Sequence, residues 1–289
     1  MDSIATASKS GLGYKIAVVG LFLALGALIM IVFSPWNPLQ KPVNDLFGRI
    51  GLTILLVIAG WLCGKFAKLT PLRPVINALT IMIVAVSLMW IMANYLIDNL
   101  GLTSSNPRDF ALLKLSDMII VFLIVIGLSR VMGFTLQDLY LQNGRVRLGL
   151  LLGLGTFTLA AATAVPSGIW LFKLDPEKLA GWQTWMPWLV VFVLANGAME
   201  ELLFRGLFLK KFEPLLGDFG ANLTIALVFT ALHFGVGYTS DQWLFMGILI
   251  GLALLFGTVI QKTKALWPAI LFHAGMDISV MLGIFSNLH

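Results

Sequence analysis

The sequence predicts an all-α fold: a polytopic membrane bundle of about nine transmembrane helices with its N-terminus in the cytoplasm. Three observations predict it. Of 289 residues, 59% are hydrophobic and 11% charged, against roughly 25% charged in an average soluble protein. Mean hydropathy is +0.94. The apolar residues fall into runs that approach or exceed the ~20 residues needed to cross a bilayer. No polar stretch is long enough for a separate soluble domain, so a single membrane domain is expected.

The runs lie at 14–34, 49–66, 75–97, 115–134, 147–172, 185–208, 220–238, 242–261 and 266–287. The first is longer than the apolar core of a cleaved signal peptide and lacks a small-residue cleavage site after it, so it is expected to remain a helix. Breakers separate the early runs: Ser34-Pro35-Trp36-Asn37-Pro38, Thr70-Pro71-Leu72-Arg73-Pro74 and Ser104-Ser105-Asn106-Pro107. Trp61, Trp90, Trp170, Trp182, Trp185, Trp188 and Trp267 fall near run ends, where an aromatic belt anchors a span. With the N-terminus inside, thirteen lysines and arginines fall in cytoplasmic segments and six outside. The positive-inside rule therefore selects N-in, C-out. The same bias accounts for the net charge of +5 without a nucleic-acid partner. The single cysteine, Cys63, excludes an internal disulfide and a multi-thiolate metal site, and reads as a small apolar helix residue.

Polar residues inside these runs carry the functional signal. Glu200, Glu201 and Arg205 sit in the sixth run. Charge at such depth costs a few kcal/mol per residue and is usually functional. His233 lies in the seventh run and His273 in the ninth, whereas the terminal His289 carries no signal. At ~1.5 Å rise per residue, Glu200 is roughly 15 Å from Lys210, His273 roughly 12 Å into its helix and His233 about 20 Å into its own. These depths converge on one cavity, expected on the cytoplasmic side of the midplane with access from there or laterally between helices.

Local spacing adds roles. Glu201 and Arg205 are i,i+4 and can form an ion pair, which reads equally as a structural pair without a catalytic part. Glu200 is rotated about 100° away from Glu201. His273 and Asp277 share a face, where the aspartate can accept the imidazole N–H and fix its tautomer. Phe229 and His233 repeat the spacing.

Glu200-Glu201-x-x-x-Arg205, Phe229-x-x-x-His233 and His273-x-x-x-Asp277, in this order on separate helices, resemble the CPBP intramembrane proteases, also called the ABI family. That family includes the type II CAAX prenyl endopeptidases and bacterial relatives linked to bacteriocin processing and self-immunity. The resemblance covers roughly 145–287 and divides the chain into residues 1–144, helices without a usable motif, and 145–289, a protease core. It implies an integral multi-pass protein, in the plasma membrane if the host is a bacterium, acting on a peptide or membrane-protein substrate in the lipid bilayer. It implies that Glu200 with His233 activates a water molecule. His273 and Asp277 would sit where the family binds the developing oxyanion, and Glu201 and Arg205 would brace the helix. A general base near neutral pH and donors aimed at an oxyanion in a dry site suit this chemistry.

The family's third motif often carries asparagine where this chain has Asp277. An ionised aspartate cannot donate to an oxyanion, so orientation of His273 is its expected role. No cofactor is firmly implied. Zinc is the chemical rival, since Glu200, His233 and His273 form a His2Glu set with room for water, although no His-Glu-x-x-His pair is present. Two readings from other classes stay open. Buried Glu, His and Asp also suit a proton-coupled transporter, but no internal repeat is visible. A catalytically silent scaffold for a membrane partner is the other.

Overall fold

The computed structural model describes residues 11–33, 46–239 and 241–288. The Ser34–Pro38 breaker, Lys9, Lys41 and His289 lie outside the described residues. Every regular element among those described is helical. They are α1 (Leu12–Ala27, continued by a π turn at Leu28–Val32), α2 (Leu46–Lys65), α3 (Arg73–Leu100), α4 (Pro107–Val131), α5 (Val146–Gly149), α6 (Gly155–Ala162), α7 (Ala164–Phe172), α8 (Met186–Glu201), α9 (Leu207–Ala231), α10 (Gln242–Thr263) and α11 (Trp267–Phe285).

Local chemistry sets the boundaries. Asn106 caps α4, accepting from the Asp109 N–H at 2.9 Å, with Pro107 at the first helical position. Gly101, at φ 64°, ends α3 in the left-handed conformation. The chain then folds back, so the Ser104–Pro107 breaker becomes a helical hairpin.

Seven described helices are long and apolar enough to cross a membrane, or eight if the pair Val146–Ala162 and Ala164–Phe172, bent by 66°, counts as one span. The difference from nine lies in the sixth and seventh runs. They form one helical stretch, Met186–Ala231, broken at Gly217 (φ 74°, ψ 169°) shortly after Pro214. The part after the break, 218–231, is about 21 Å long at ~1.5 Å per residue, short of the ~30 Å hydrocarbon core. Helix α9 stops at Ala231 and the chain turns through 232–238, with Gly235 at φ 84°. The expected 220–238 helix is shorter because apolarity continues into that turn while the backbone does not.

Helix α8 packs on both α4 and α11, α6 and α7 also pack on α11, and α10 packs on α9. The N-terminal helices are part of this body: Phe22 of α1 packs between Phe208 and Phe212, with ring centroids at 4.8 and 4.7 Å. Trp61 and Trp170 are exposed, as belt residues should be, but Trp185 is buried against Phe285 and serves the core instead.

The bundle has two unlike ends. At one, the 132–145 loop is stitched to the α9 bend and the α10–α11 turn. Tyr140 Oη donates to Glu213 at 2.7 Å, the Arg145 N–H to the Thr263 carbonyl at 2.7 Å, and Gln261 Nε2 to the Asp218 carbonyl at 2.9 Å. This end, with the neighbouring α2–α3 loop, carries Lys65, Lys68, Arg73, Arg130, Arg145, Arg147, Lys210, Lys211, Lys262 and Lys264. The opposite end joins α7, the 232–239 turn and the C-terminus of α11. There Thr239 Oγ1 donates to the Leu171 carbonyl at 3.2 Å and Lys178 Nζ to Asn287 Oδ1 at 2.5 Å. It carries Arg108, Lys173 and Lys178, with Arg49 buried in α2 and Lys114 buried in α4.

Candidate active site

The site begins with a close helix approach. A Cβ added at Gly197 of α8 would lie 3.1 Å from the Ile270 carbonyl oxygen and 3.2 Å from the Ala274 nitrogen of α11. The missing side chain lets the backbones meet one turn from Glu200 and Glu201, which brings both carboxylates to His273. Gly197→Val should therefore push α8 off α11 and destabilise the fold by about 1–3 kcal/mol, the usual range for overpacking. A lowered thermal midpoint in detergent, together with lost activity, is the expected result. An unchanged midpoint would contradict the close approach.

Glu201 Oε1 is the hub. It accepts from Arg205 Nη1 at 2.7 Å and from His273 Nδ1 at 2.8 Å. Arg205, in the π turn Leu202–Gly206, also donates Nη2 to the Ala253 carbonyl at 3.2 Å. Its guanidinium lies 4.3 Å from the Phe229 ring centroid and 5.4 Å from that of Phe256. Glu201 and Arg205 are wholly buried. The expected ion pair is present, and Glu201 does more than brace its helix, because it also holds His273.

His273 stacks on Phe256, with centroids at 4.8 Å and planes 9° apart. Its Nε2 faces Glu200 Oε2 at 3.6 Å and Asp277 Oδ1 at 3.5 Å. The orienting carboxylate is thus Glu201, on Nδ1, whereas the sequence assigned that task to Asp277. Asp277 instead accepts from Asn196 Nδ2 at 2.9 Å. His233 sits in the turn after α9 rather than within a straight helix. Its Nδ1 is 2.9 Å from the Phe229 carbonyl oxygen and its ring packs 4.9 Å from that of Phe229. A carbonyl only accepts, so the proton is on Nδ1 and Nε2 is the acceptor of the neutral ring.

Glu200, His233, His273 and Asp277 line one cavity of about 330 Å³. Its remaining walls are mostly apolar and aromatic, among them Phe172, Tyr238, Phe245 and Leu249. Glu201 and Arg205 do not line it and lie behind it. Buried Glu200 Oε2 has no hydrogen-bond partner. The cavity extends from His273 along the second half of α11, past Ser279 and Val280 to Ile284. It therefore points away from the lysine-rich end, whereas access was expected from that end or laterally between helices. Distances along helices located the residues but carried no information on which way the space between them opens. Buried Phe204, Glu201 and Arg205 occupy the other direction.

Asn196 and Tyr238 are among the lining residues that the sequence reading did not single out. Asn196 had a usable signal: it is an amide in an apolar helix, one turn before Glu200 and on its face. Tyr238 had none, because the course of the 232–238 turn is set by its packing. For zinc, no group of three or more His, Cys, Asp or Glu among the described residues is arranged to hold a metal ion.

Residues 182–279 match the model of a family described as type II CAAX prenyl endopeptidase Rce1-like. No curated protein and no solved structure matches the chain. The matched segment contains all six residues singled out in the sequence and supports intramembrane protease activity. Within a multi-pass integral membrane protein, residues 182–279 are thus similar to the type II CAAX prenyl endopeptidase Rce1-like proteins.

Proposed function

We propose that the protein is an intramembrane endopeptidase that hydrolyses a peptide bond with water activated by Glu200. The observation that carries the reading is the meeting of Glu200, His233, His273 and Asp277 in one apolar-walled cavity of a membrane bundle. A carboxylate and an imidazole acceptor beside a cavity suit general-base chemistry.

Glu200 takes a proton from water as the water oxygen bonds to the scissile carbonyl carbon. The carbonyl oxygen becomes an oxyanion. The C–N bond then breaks, the proton passes from Glu200 to the leaving nitrogen, and a carboxyl and an amine result. His233, with Nδ1 committed to the Phe229 carbonyl, offers Nε2 to the same water. His273, with Nδ1 on Glu201, presents Nε2 to the cavity, where its protonated form donates to the oxyanion. In the dry pocket such a donor is worth far more than in water. Asn196 holds Asp277 beside that nitrogen.

Asn196→Ala should lower kcat with little change in KM or folded yield, as expected when ground-state binding is untouched. Steady-state kinetics on purified protein would show it, and a pure KM effect would make Asn196 a substrate contact instead. The zinc alternative is settled by chelation. The glutamate reading expects unchanged cleavage, while a loss that zinc restores would make Glu200, His233 and His273 metal ligands.

The family's name denotes prenylated CAAX substrates. Here the apolar chamber suits a membrane-associated or lipidated peptide with apolar groups near the scissile bond. Cleavage of a peptide library by purified protein, with Glu200→Ala as control, separates this reading from a transporter or a silent scaffold, neither of which cleaves.

A further inference from the structure

The cavity has a direction, and the charge of the bundle says which membrane face it meets. Its inner end is at His273, behind which Glu201 and Arg205 lie fully buried. From there the space runs along α7, α10 and the second half of α11. A second hollow of about 390 Å³ adjoins it and shares the walls Phe172, Tyr238, Val280 and Ile284. The walls of this outer hollow turn polar: Lys173, Thr239 and Asn287 line it. All three belong to the end of the bundle poor in lysine and arginine. The other end, closed by the 132–145 loop, carries ten of the basic residues.

Cytoplasmic ends of membrane proteins carry the excess of lysine and arginine. The lysine-rich, stitched end is then the cytoplasmic one, and the vestibule lined by Lys173, Thr239 and Asn287 meets the opposite side. We infer that the cavity is loaded from the extracytoplasmic face, so that the substrate is the outward-facing segment of an exported or membrane-anchored polypeptide, not a cytoplasmic one. This rests on the protease reading for the word substrate, but the direction of the cavity stands on geometry and charge alone.

The chemistry of the two compartments fits such a segment. Phe172, Tyr238 and Phe245 form a cluster, with ring centroids 5.6–6.1 Å apart, between the vestibule and His233. Apolar side chains of a peptide pass these rings towards Glu200 and His273. The polar backbone and any charged groups on the trailing side stay with Lys173, Thr239 and Asn287. Gly235 and Gly237, with nothing within 4 Å of an added Cβ, lie in the turn that carries Tyr238, so open space surrounds its backbone there.

The test is cysteine accessibility in cells, in a Cys63→Ala background. Thr239→Cys and Asn287→Cys report the vestibule, and Lys264→Cys reports the stitched end; none of these positions belongs to the catalytic set. A membrane-impermeant maleimide added to intact cells should label Thr239→Cys and Asn287→Cys and leave Lys264→Cys unlabelled until the membrane is permeabilised. Labelling of Lys264→Cys alone before permeabilisation overturns the inference. The second arm uses sealed vesicles of the same orientation. Peptide supplied on the extracytoplasmic side should be cleaved by the wild type and not by Glu200→Gln. Cleavage only of peptide enclosed on the cytoplasmic side overturns the assignment of substrate. The expected labelling without cleavage on either side leaves the orientation in place and removes the protease reading, and the substrate claim with it.

Discussion

Glu200→Gln should abolish most hydrolysis while leaving fold and substrate binding in place. Glutamine keeps the shape of the side chain and much of its hydrogen bonding, but it cannot take a proton from water. Loss of a general base lowers the rate by at least about 10²-fold. Glu200 makes no ion pair with Arg205, which bonds Glu201 instead, so the fold does not depend on its charge in the way it depends on Glu201. Purified Glu200→Gln should thus elute and melt like the wild type and bind peptide with similar affinity. His233→Ala acts on the same step. The double variant should be little slower than either single one, because residues that act as a unit are not additive. Full activity of Glu200→Gln would refute the mechanism.

Arg205→Ala should fail earlier, at folding. The guanidinium bonds Glu201 and the Ala253 carbonyl and lies between Phe229 and Phe256, with no exposure. Its removal leaves the Glu201 carboxylate buried and facing His273 without its fixed cation. Breaking a buried pair costs about 3–5 kcal/mol, a large share of the 5–15 kcal/mol that holds a typical domain. Low yield, a lowered thermal midpoint in detergent and lost activity are expected together. Arg205→Lys should restore only part, because an ammonium cannot reproduce the planar fork that reaches both acceptors. Normal yield and stability with selective loss of turnover would move Arg205 into substrate binding or catalysis.

Much of this was legible in the sequence, for reasons particular residues make plain. The Glu201–Arg205 pair follows from i,i+4 spacing in an apolar run, where neither charge is stable alone. Glu200, His233, His273 and Asp277 were legible as a set because polar side chains in hydrocarbon must find one another. The helical class followed from run length, since a helix satisfies its own backbone in lipid. What was hidden depended on packing between segments distant in the chain. Glu201 reaches His273 only because Gly197 lets α8 meet α11, and no local spacing announces that contact. Asp277 was read as the partner of His273 because they are one turn apart, yet Asn196 from another helix claims its carboxylate. The end of α9 at Ala231 was obscured because Leu232, Phe234 and Val236 keep the run apolar after the helix has stopped. The direction of the cavity was beyond reach from the sequence, as it depends on buried Phe204 and Arg205 filling one side while residues of α7 and α10 line the space on the other.

The central claim is that this cavity adds water to a peptide bond through Glu200. It is tested most directly by letting purified wild-type protein cleave a peptide in oxygen-18 water, with chelator present, and weighing the fragments. The account predicts heavy oxygen in the newly formed carboxyl group and none in unrelated positions, with no such product from Glu200→Gln. Absence of cleavage by the wild type, or labelled product formed equally by Glu200→Gln, would contradict it.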